Sequence, residues 1–400
     1  MNKKYYIYIL MLISVIFALK FLENRQMQSA DCTTPYLSGA SNWSLLEGWR
    51  VNLDEMKAFR KLNTEDKLAY RFTETNETIP YSYNAIGLMY IDILSRTIFF
   101  WQGDLQSIIS LQQVIHIVFS FWILSLLKLV WKKIIFYLFY VINPLILYFV
   151  DFPYYYFWQT LPALIVLIYI LREKALNNTI FFLSILFSFI VIIRPSTLFI
   201  LFLILIYIAY KEKRILNAFL AVFIFVGLTF ILKPNSVNEP WHTMYVGIGG
   251  YVNDYNITLR DDSGFNNFKE DSGVVIRGCS TNMDNNYLYI EYNDFIKKEY
   301  FKILRESPAL LVKNMFLNIL QSYGFGHAPN FTIINYLSSS LGLIFIILLL
   351  YYKEYWLFLF IGISTISFTP YYPPIAAYMF GSYVFIIYAW LKILYKMRRN

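Results

Sequence analysis

Charge is scarce in this chain: only 15% of its 400 residues are Asp, Glu, Lys or Arg, against 58% that are hydrophobic. No globule of this size has an interior large enough to hide so much apolar surface, so a water-soluble domain is excluded and a polytopic membrane protein is the class that remains. Cysteine is scarcer still, and the two present, Cys32 and Cys279, have no metal-ligand spacing. Histidine occurs three times, as His116, His242 and His327, again without a ligand spacing. The sequence therefore calls for no metal site and no cofactor, with a divalent ion as an assistant left open. The net charge of +8 is scattered between apolar runs and gathers on no face, which argues against nucleic acid as a partner.

What is abundant is apolar sequence in long runs. Crossing roughly 30 Å of hydrocarbon takes about 20 residues. Runs of that kind fall near 5–22, 106–128, 134–150, 154–171, 178–193, 195–210, 214–232, 333–351, 355–369 and 374–391, about ten crossings. The first follows Asn2-Lys3-Lys4 as a secretory signal would, but no small-residue cleavage site comes directly after it, so a retained helix is expected. With the N-terminus in the cytoplasm, the basic residues fall inside at every turn: Lys3 and Lys4; Lys128, Lys132 and Lys133; Arg172 and Lys174; Lys211, Lys213 and Arg214; Lys353; and Lys392, Lys396, Arg398 and Arg399. Short loops assigned outside are poor in lysine and arginine, so one orientation accounts for all of them, with both termini cytoplasmic in the cell membrane.

Two apolar stretches are left out of that count. "YNAIGLMYIDILSRTIFFW" (83–101) carries Asp92 and Arg96 four residues apart and reads as an amphipathic helix in the outer interface. "PALLVKNMFLNILQSYGFG" (308–326), with Lys313, Asn314 and Asn318, is read the same way; if it spans instead, the basic tail moves outside. The expected organisation is a transmembrane core over 1–233 with an extracytoplasmic first loop at 23–105, a large extracytoplasmic loop or lid over 234–332, and C-terminal transmembrane helices over 333–400. Within the lid, Phe295, Tyr300, Phe301 and Leu304 recur at helical spacing before Pro308.

A long first loop after helix 1, an acid near its start, an interfacial helix and then paired spans form a recognisable arrangement. The motif "DCTTPYLSGA" supplies Asp31, Tyr36 and Ala40. It resembles the Asp, Tyr, Ala loop element of the GT-C glycosyltransferases, specifically the protein mannosyltransferases and lipid A aminoarabinose transferases. That family usually has a second acid beside the first and a shorter gap to the tyrosine, and here Cys32 stands in the pair. "IPYSYNAIGLMYIDIL" is similar to the family's proline-led interfacial helix, "LQQVIHIVFSFWIL" to the glutamine opening its second span, "INPLILYFV" to its Asn-Pro, and "IIRPSTLFI" to its Arg-Pro turn. The resemblance covers roughly residues 5–210 and rests on the order of these pieces.

The resemblance implies a GT-C-like, all-α bundle that moves a sugar from a polyprenyl-phosphate donor to an extracytoplasmic glycan, lipid or protein acceptor, with inversion. Such chemistry needs a carboxylate as general base and cations to hold the departing phosphate. Asp31 is the expected base, with Tyr36 beside it in the motif; Glu47, Asp54 and Glu55 are competing acids of the same loop. Arg194 lies between two spans, where an ionisable group needs a partner, and a lipid phosphate would serve; the bland reading is an interface anchor. Lys233, at the outer end of the seventh span, divides between the same two roles. Asp151, in "YFVDFPYYYFWQT", is expected at the outer mouth facing Asp31, or as a polar helix end. Trp241, His242 and Tyr245 open the large loop and could stack on and hydrogen-bond to a sugar or acceptor, or simply pack. Gly247, Gly249 and Gly250 make a poor nucleotide loop, since no strand precedes them. Cys32 and Cys279 both fall outside and either pair or stand as unrelated thiols. Asn-x-Ser/Thr triplets, such as those at Asn42 and Asn256, arise by chance in a chain this rich in asparagine.

Two rival readings stand beside the transferase. An O-antigen polymerase would have an arginine followed ten residues later by glycine in its large loop, and neither Arg260 nor Arg277 is followed so. A lipid or solute transporter would bury charges at mid-membrane, where these spans carry mostly Leu, Ile, Phe and Tyr, with His116 the main exception.

Overall fold

The computed structural model describes residues 3–22, 32–44, 47–81, 86–172, 179–213, 215–232, 240–276 and 286–399. About three quarters of the chain is helical. Among the described residues, apart from isolated bridges, strand is confined to one antiparallel pair, Arg50–Val51 against Ile79–Pro80. The chain divides into two compact units, Met1–Asn235 with Tyr383–Arg398, and Ser236–Ser382 with Arg399–Asn400. The C-terminal helices, expected as one set, are shared between them. Thr332–Tyr351 and Tyr355–Thr365 pack with Pro308–Tyr323 in the second unit, while Tyr383–Met397 packs on Leu161–Arg172 and Val130–Phe136 of the first.

Among the described residues, three helices are long and apolar enough to cross a membrane: Asp104–Leu126, Pro195–Glu212 and Thr332–Tyr351. A fourth is Val130–Val141 with Pro144–Val150, if this pair, bent by 53°, counts as one span. Five shorter apolar helices accompany them, Tyr6–Phe21, Phe157–Arg172, Ile180–Ile193, Phe219–Ile231 and Tyr355–Thr365. Among the described residues, length and composition thus give three or four candidate spans, against the ten or so apolar runs of the sequence. The bend has a local cause. Pro144 has no N–H for the preceding turn, and the Asn143 side chain accepts from the Leu145 N–H at 2.9 Å, so a new helix starts there. Pro195 acts likewise between Thr179–Ile193 and Pro195–Glu212.

The exposed surfaces of these helices are those of a lipid-facing protein. In Lys3–Leu22, Val15 and Leu19 are buried while Leu10, Phe17 and Phe21 are open, and Phe223, Phe230 and Ile231 stand out from Ile215–Leu232. Patches of this kind have no place against water.

Within the stretch read as interfacial lies the helix Gly87–Ile98, and it is built inside out. Asp92 and Ser95 are fully buried, whereas Tyr90, Leu94 and Ile98 are exposed, followed by Phe100 and Trp101. Arg96 closes the polar interior. Its guanidinium pairs with Asp92 and, at 3.1 Å, with Asp104, and it donates to Ser41 Oγ at 2.5 Å and to the Leu37 carbonyl at 2.8 Å. Asp104 also accepts from the Phe72 N–H at 2.7 Å. Two buried carboxylates are tolerable here because each is paired with the partly buried Arg96 and hydrogen-bonded. Arg96 ties the helix Thr34–Ser41, the helix Gly87–Ile98 and the start of Asp104–Leu126 into one block.

The second unit has its own core of Tyr245, Val246, Ile248, Phe268, Tyr292, Ile296, Tyr300 and Ile303 with Phe368 and Tyr372. The helical pattern before Pro308 is the helix Asn286–Glu306. Its buried face runs through Tyr292, Ile296, Tyr300 and Ile303, not through Phe301 and Leu304, which are partly exposed. Pro308–Tyr323 repeats the inverted pattern, with Asn314, Asn318 and Gln321 buried and Val312 and Phe316 exposed. It packs closely on Thr332–Tyr351, where a Cβ on Gly342 would run into the Leu320 carbonyl. Small residues allow that approach between helices.

Candidate functional site

The residue order Thr33-Thr34-Pro35 starts a short helix, since proline is tolerated in the first turn. Thr33 Oγ donates to the Pro153 carbonyl at 2.7 Å, across 120 residues of sequence. The segment that follows Asp31 is thereby fastened to the turn over 151–156. That turn is held from the other side by two adjacent glutamines. Gln112 Nε2 donates to the carbonyls of Val150 and Phe152, at 2.8 and 2.9 Å, and Gln113 Nε2 donates to Asp151 Oδ1 at 2.8 Å. The carbonyls at the end of Pro144–Val150 have no intrahelical donors, so the Gln112 amide satisfies what the broken helix leaves open.

Three tyrosines leave this turn. Tyr154 lies with its ring centroid 6.0 Å from that of Tyr36 and 3.8 Å from that of Tyr155, and Tyr36 meets Tyr81 at 6.0 Å. Arg194, half-buried, sets its guanidinium carbon 4.2 Å above the ring centre of Tyr155 and 5.9 Å from that of Tyr156. Aromatic faces attract a cation that has lost part of its water. Burial, together with the neighbouring phenols of Tyr81 and Tyr155, pushes the Tyr36 hydroxyl well above its ordinary range, so it remains a protonated donor at any physiological pH.

Of the residues singled out in the sequence, Tyr36 and Arg194 belong to one aromatic cluster, and Asp151 lies buried in the adjoining turn with Gln113 as its partner. Asp31, Lys233 and Cys279 lie outside the described residues. Glu55 of the same loop serves structure: its Oε1 accepts from Tyr70 Oη and the Thr73 N–H. Residues that sequence reasoning missed are Thr33, Gln112, Gln113, Tyr154 and Tyr155. The available signals were the paired glutamine in "LQQVIH" and the run of tyrosines in "DFPYYYFW".

Trp241 and His242 belong to the second unit. Trp241 packs against Tyr300 and Phe301, with Lys297 Nζ 5.2 Å from its ring centre. His242 stacks on Phe265 and uses both ring nitrogens, Nδ1 with the Tyr292 hydroxyl and Nε2 with Asp261 Oδ1 at 3.3 Å. The hydrogen bond from His242 holds the Asp261 carboxyl below its usual range. Gly264 completes the arrangement, because a Cβ there would meet Tyr292 Oη and His242 Nδ1. The glycines at 247–250 are close-packing positions: a Cβ on Gly247 would collide with the Tyr371 carbonyl and one on Gly249 with Thr258. His116 is buried and bonds the Val141 carbonyl through Nε2 at 3.0 Å. Among the described residues no three or more His, Cys, Asp or Glu side chains converge as a metal site would need.

Comparison with family models, with curated proteins and with solved structures gives no match to this chain.

Proposed function

We propose that this chain is an integral-membrane glycosyltransferase of GT-C type, taking a sugar from a polyprenyl-phosphate donor and passing it to a hydroxyl of an extracytoplasmic glycan, lipid or protein. The observation that carries the reading is the chain of contacts Tyr36, Tyr154, Tyr155, Arg194, fastened through Pro153 to Thr33 of the loop motif. Tyr36 comes from the loop motif and Arg194 from the Arg-Pro turn, and Tyr154 and Tyr155 join them. A cation and a phenol donor joined in this way are groups that the holding of a donor phosphate calls for, which supports the reading.

In this reading Asp31 takes the proton of the acceptor hydroxyl while its oxygen attacks the anomeric carbon opposite the phosphate. The bond from that carbon to the phosphate oxygen breaks, the electron pair leaves with the phosphate, and the configuration inverts. Arg194, partly desolvated by tyrosine faces, offers fixed positive charge to the departing phosphate, with Lys233 as a second cation. The Tyr36 hydroxyl is a hydrogen-bond donor of the same cluster, and Asp151 with Gln113 fixes the turn. Trp241 and His242 are held by neighbours of their own unit, and no chemical step is given to them. The bundle then lies in the cell membrane with its termini in the cytoplasm and its site on the outer side.

Membranes holding the chain should consume a radiolabelled polyprenyl-phosphate sugar and release free carrier, and Asp31→Asn should stop this while expression is unchanged. Undiminished turnover by Asp31→Asn overturns the assignment of the base.

A further inference from the structure

The second unit holds a cavity of about 340 Å³ between the loop over 249–259 and the turn that leads into Thr332–Tyr351. We propose that it is a saccharide-binding subsite, serving the glycan part of the acceptor. The choice of ligand class rests in part on the sugar-transfer reading above; the cavity itself does not.

Its lining mixes amides, hydroxyls and half-open aromatic rings, with one cation: Asn256, Asn330, Thr332, Phe331, Tyr336 and Lys313. Phe331 and Tyr336 are both more than half exposed, so their faces are free to lie on the C–H face of a sugar ring. Asn256 and Asn330 sit at φ +55° and +67°, in the left-handed region where glycine would be unstrained. Asparagine tolerates that conformation and brings to each position an amide with two donors and an acceptor. Among the described residues neither amide has an intramolecular hydrogen bond, and Lys313 has no ion pair. The volume lies within the roughly 300–1,000 Å³ typical of ligand pockets.

The walls are fixed in advance. Asn253 Nδ2 donates to the carbonyls of Tyr251 and Ile257 at 3.0 and 2.9 Å, while its oxygen accepts from the Tyr255 and Ile257 N–H groups. On the other wall Asn335 accepts from the Ala328 N–H at 2.8 Å and donates back to its carbonyl at 3.0 Å. Such preorganisation lowers the cost of ordering a ligand. A site of amides and aromatic rings with a single lysine suits a hydroxyl-rich ligand carrying at most one acidic group. It suits neither a polyanion nor a purely apolar chain. Because Thr332 opens a helix able to cross a membrane, a glycan held here would lie near the bilayer surface.

The test uses the full chain in lipid nanodiscs and no sugar donor. Soluble tetrasaccharides of neutral hexose, N-acetylhexosamine and uronate-bearing type are titrated and followed by saturation-transfer NMR. At least one should bind, and Asn256→Gly with Asn330→Gly should weaken it about tenfold, the loss expected for removed hydrogen bonds. Glycine keeps the backbone conformation, so folding is preserved. Lys313→Gln should remove any preference for the uronate, and Tyr336→Leu should weaken every ligand, which keeps the idea testable if the double variant unfolds. No binding by any of the three classes, or wild-type affinity in these variants, overturns the subsite. Sugar transfer without such binding removes only this inference; binding without transfer removes only the proposed function.

Discussion

Arg194 holds its guanidinium 4.2 Å above the centre of the Tyr155 ring, at the junction of two apolar helices. A planar, delocalised cation stacks there as a compact ammonium cannot. Arg194→Lys is therefore expected to slow release of free carrier even though charge is retained, and Arg194→Ala to slow it by about 10²-fold or more if the cation acts on the leaving phosphate. Rates at saturating donor separate this from weaker binding. Wild-type turnover in both variants would reduce Arg194 to an interface anchor.

The Asp92, Arg96, Asp104 group should dominate the stability of the first unit. Arg96→Met leaves two buried carboxylates without their cation, and a loss of about 3–5 kcal/mol is expected for such a broken pair. The midpoint of thermal unfolding in detergent is the measurement. An unchanged midpoint would mean that the pair is solvated in the protein.

Burial lifts the Asp92 carboxyl from 3.8 to about 7, outweighing the opposing pull of Arg96. A group raised in the folded state binds its proton more tightly there than in the unfolded chain. Its stabilising contribution is complete below 3.8 and declines as pH rises toward 7. Midpoints measured across that window should fall with rising pH more steeply for the wild type than for Asp92→Asn. Equal slopes would show that Asp92 does not titrate there.

Gly264→Ala should destabilise the second unit by about 1–3 kcal/mol, as overpacking does, since the added methyl meets Tyr292 Oη and His242 Nδ1. His242→Gln should make stability less sensitive to acid. Asp261 is held below its usual range by His242, so its contribution is present above the ordinary carboxylate value and is lost as pH falls through the lowered one. Urea titrations at several acidic pH values report both effects.

The inverted helices predict which side chains meet lipid. Cysteine placed at Leu94 or Phe316 should react with a bilayer-phase label, and cysteine at Asn318 should not. The reverse pattern would mean that these helices turn their polar faces outward.

Much of the local structure was legible beforehand. Although the run over 134–150 reads as unbroken and is broken at Asn143-Pro144, the Arg-Pro at 194–195 announces a turn and the spacing of Asp92 and Arg96 an amphipathic helix. The sequence could not say that the polar face of that helix points inward, because a hydrophobic period has the same phase whether its apolar side meets a core or lipid. For the same reason Pro308–Tyr323 gave no sign that Asn314 and Asn318 were interior. The tyrosines at 154–156 were visible as a run, but their partners Tyr36 and Arg194 lie far away along the chain. For His242 the sequence leaves sugar contact and packing side by side, and Tyr292 and Asp261 occupy its two ring nitrogens.

What the sequence determined by itself is the solvent: too few charges and too much Leu, Ile, Phe and Tyr for any environment without hydrocarbon, and proline at the points where helices must stop. These follow from composition and backbone chemistry, which act residue by residue. The tertiary structure alone decided which polar groups face one another, as Thr33 does the Pro153 carbonyl and Arg96 its two carboxylates. Such pairings depend on lateral packing between helices, and a one-dimensional pattern of hydropathy carries no information about neighbours across that packing.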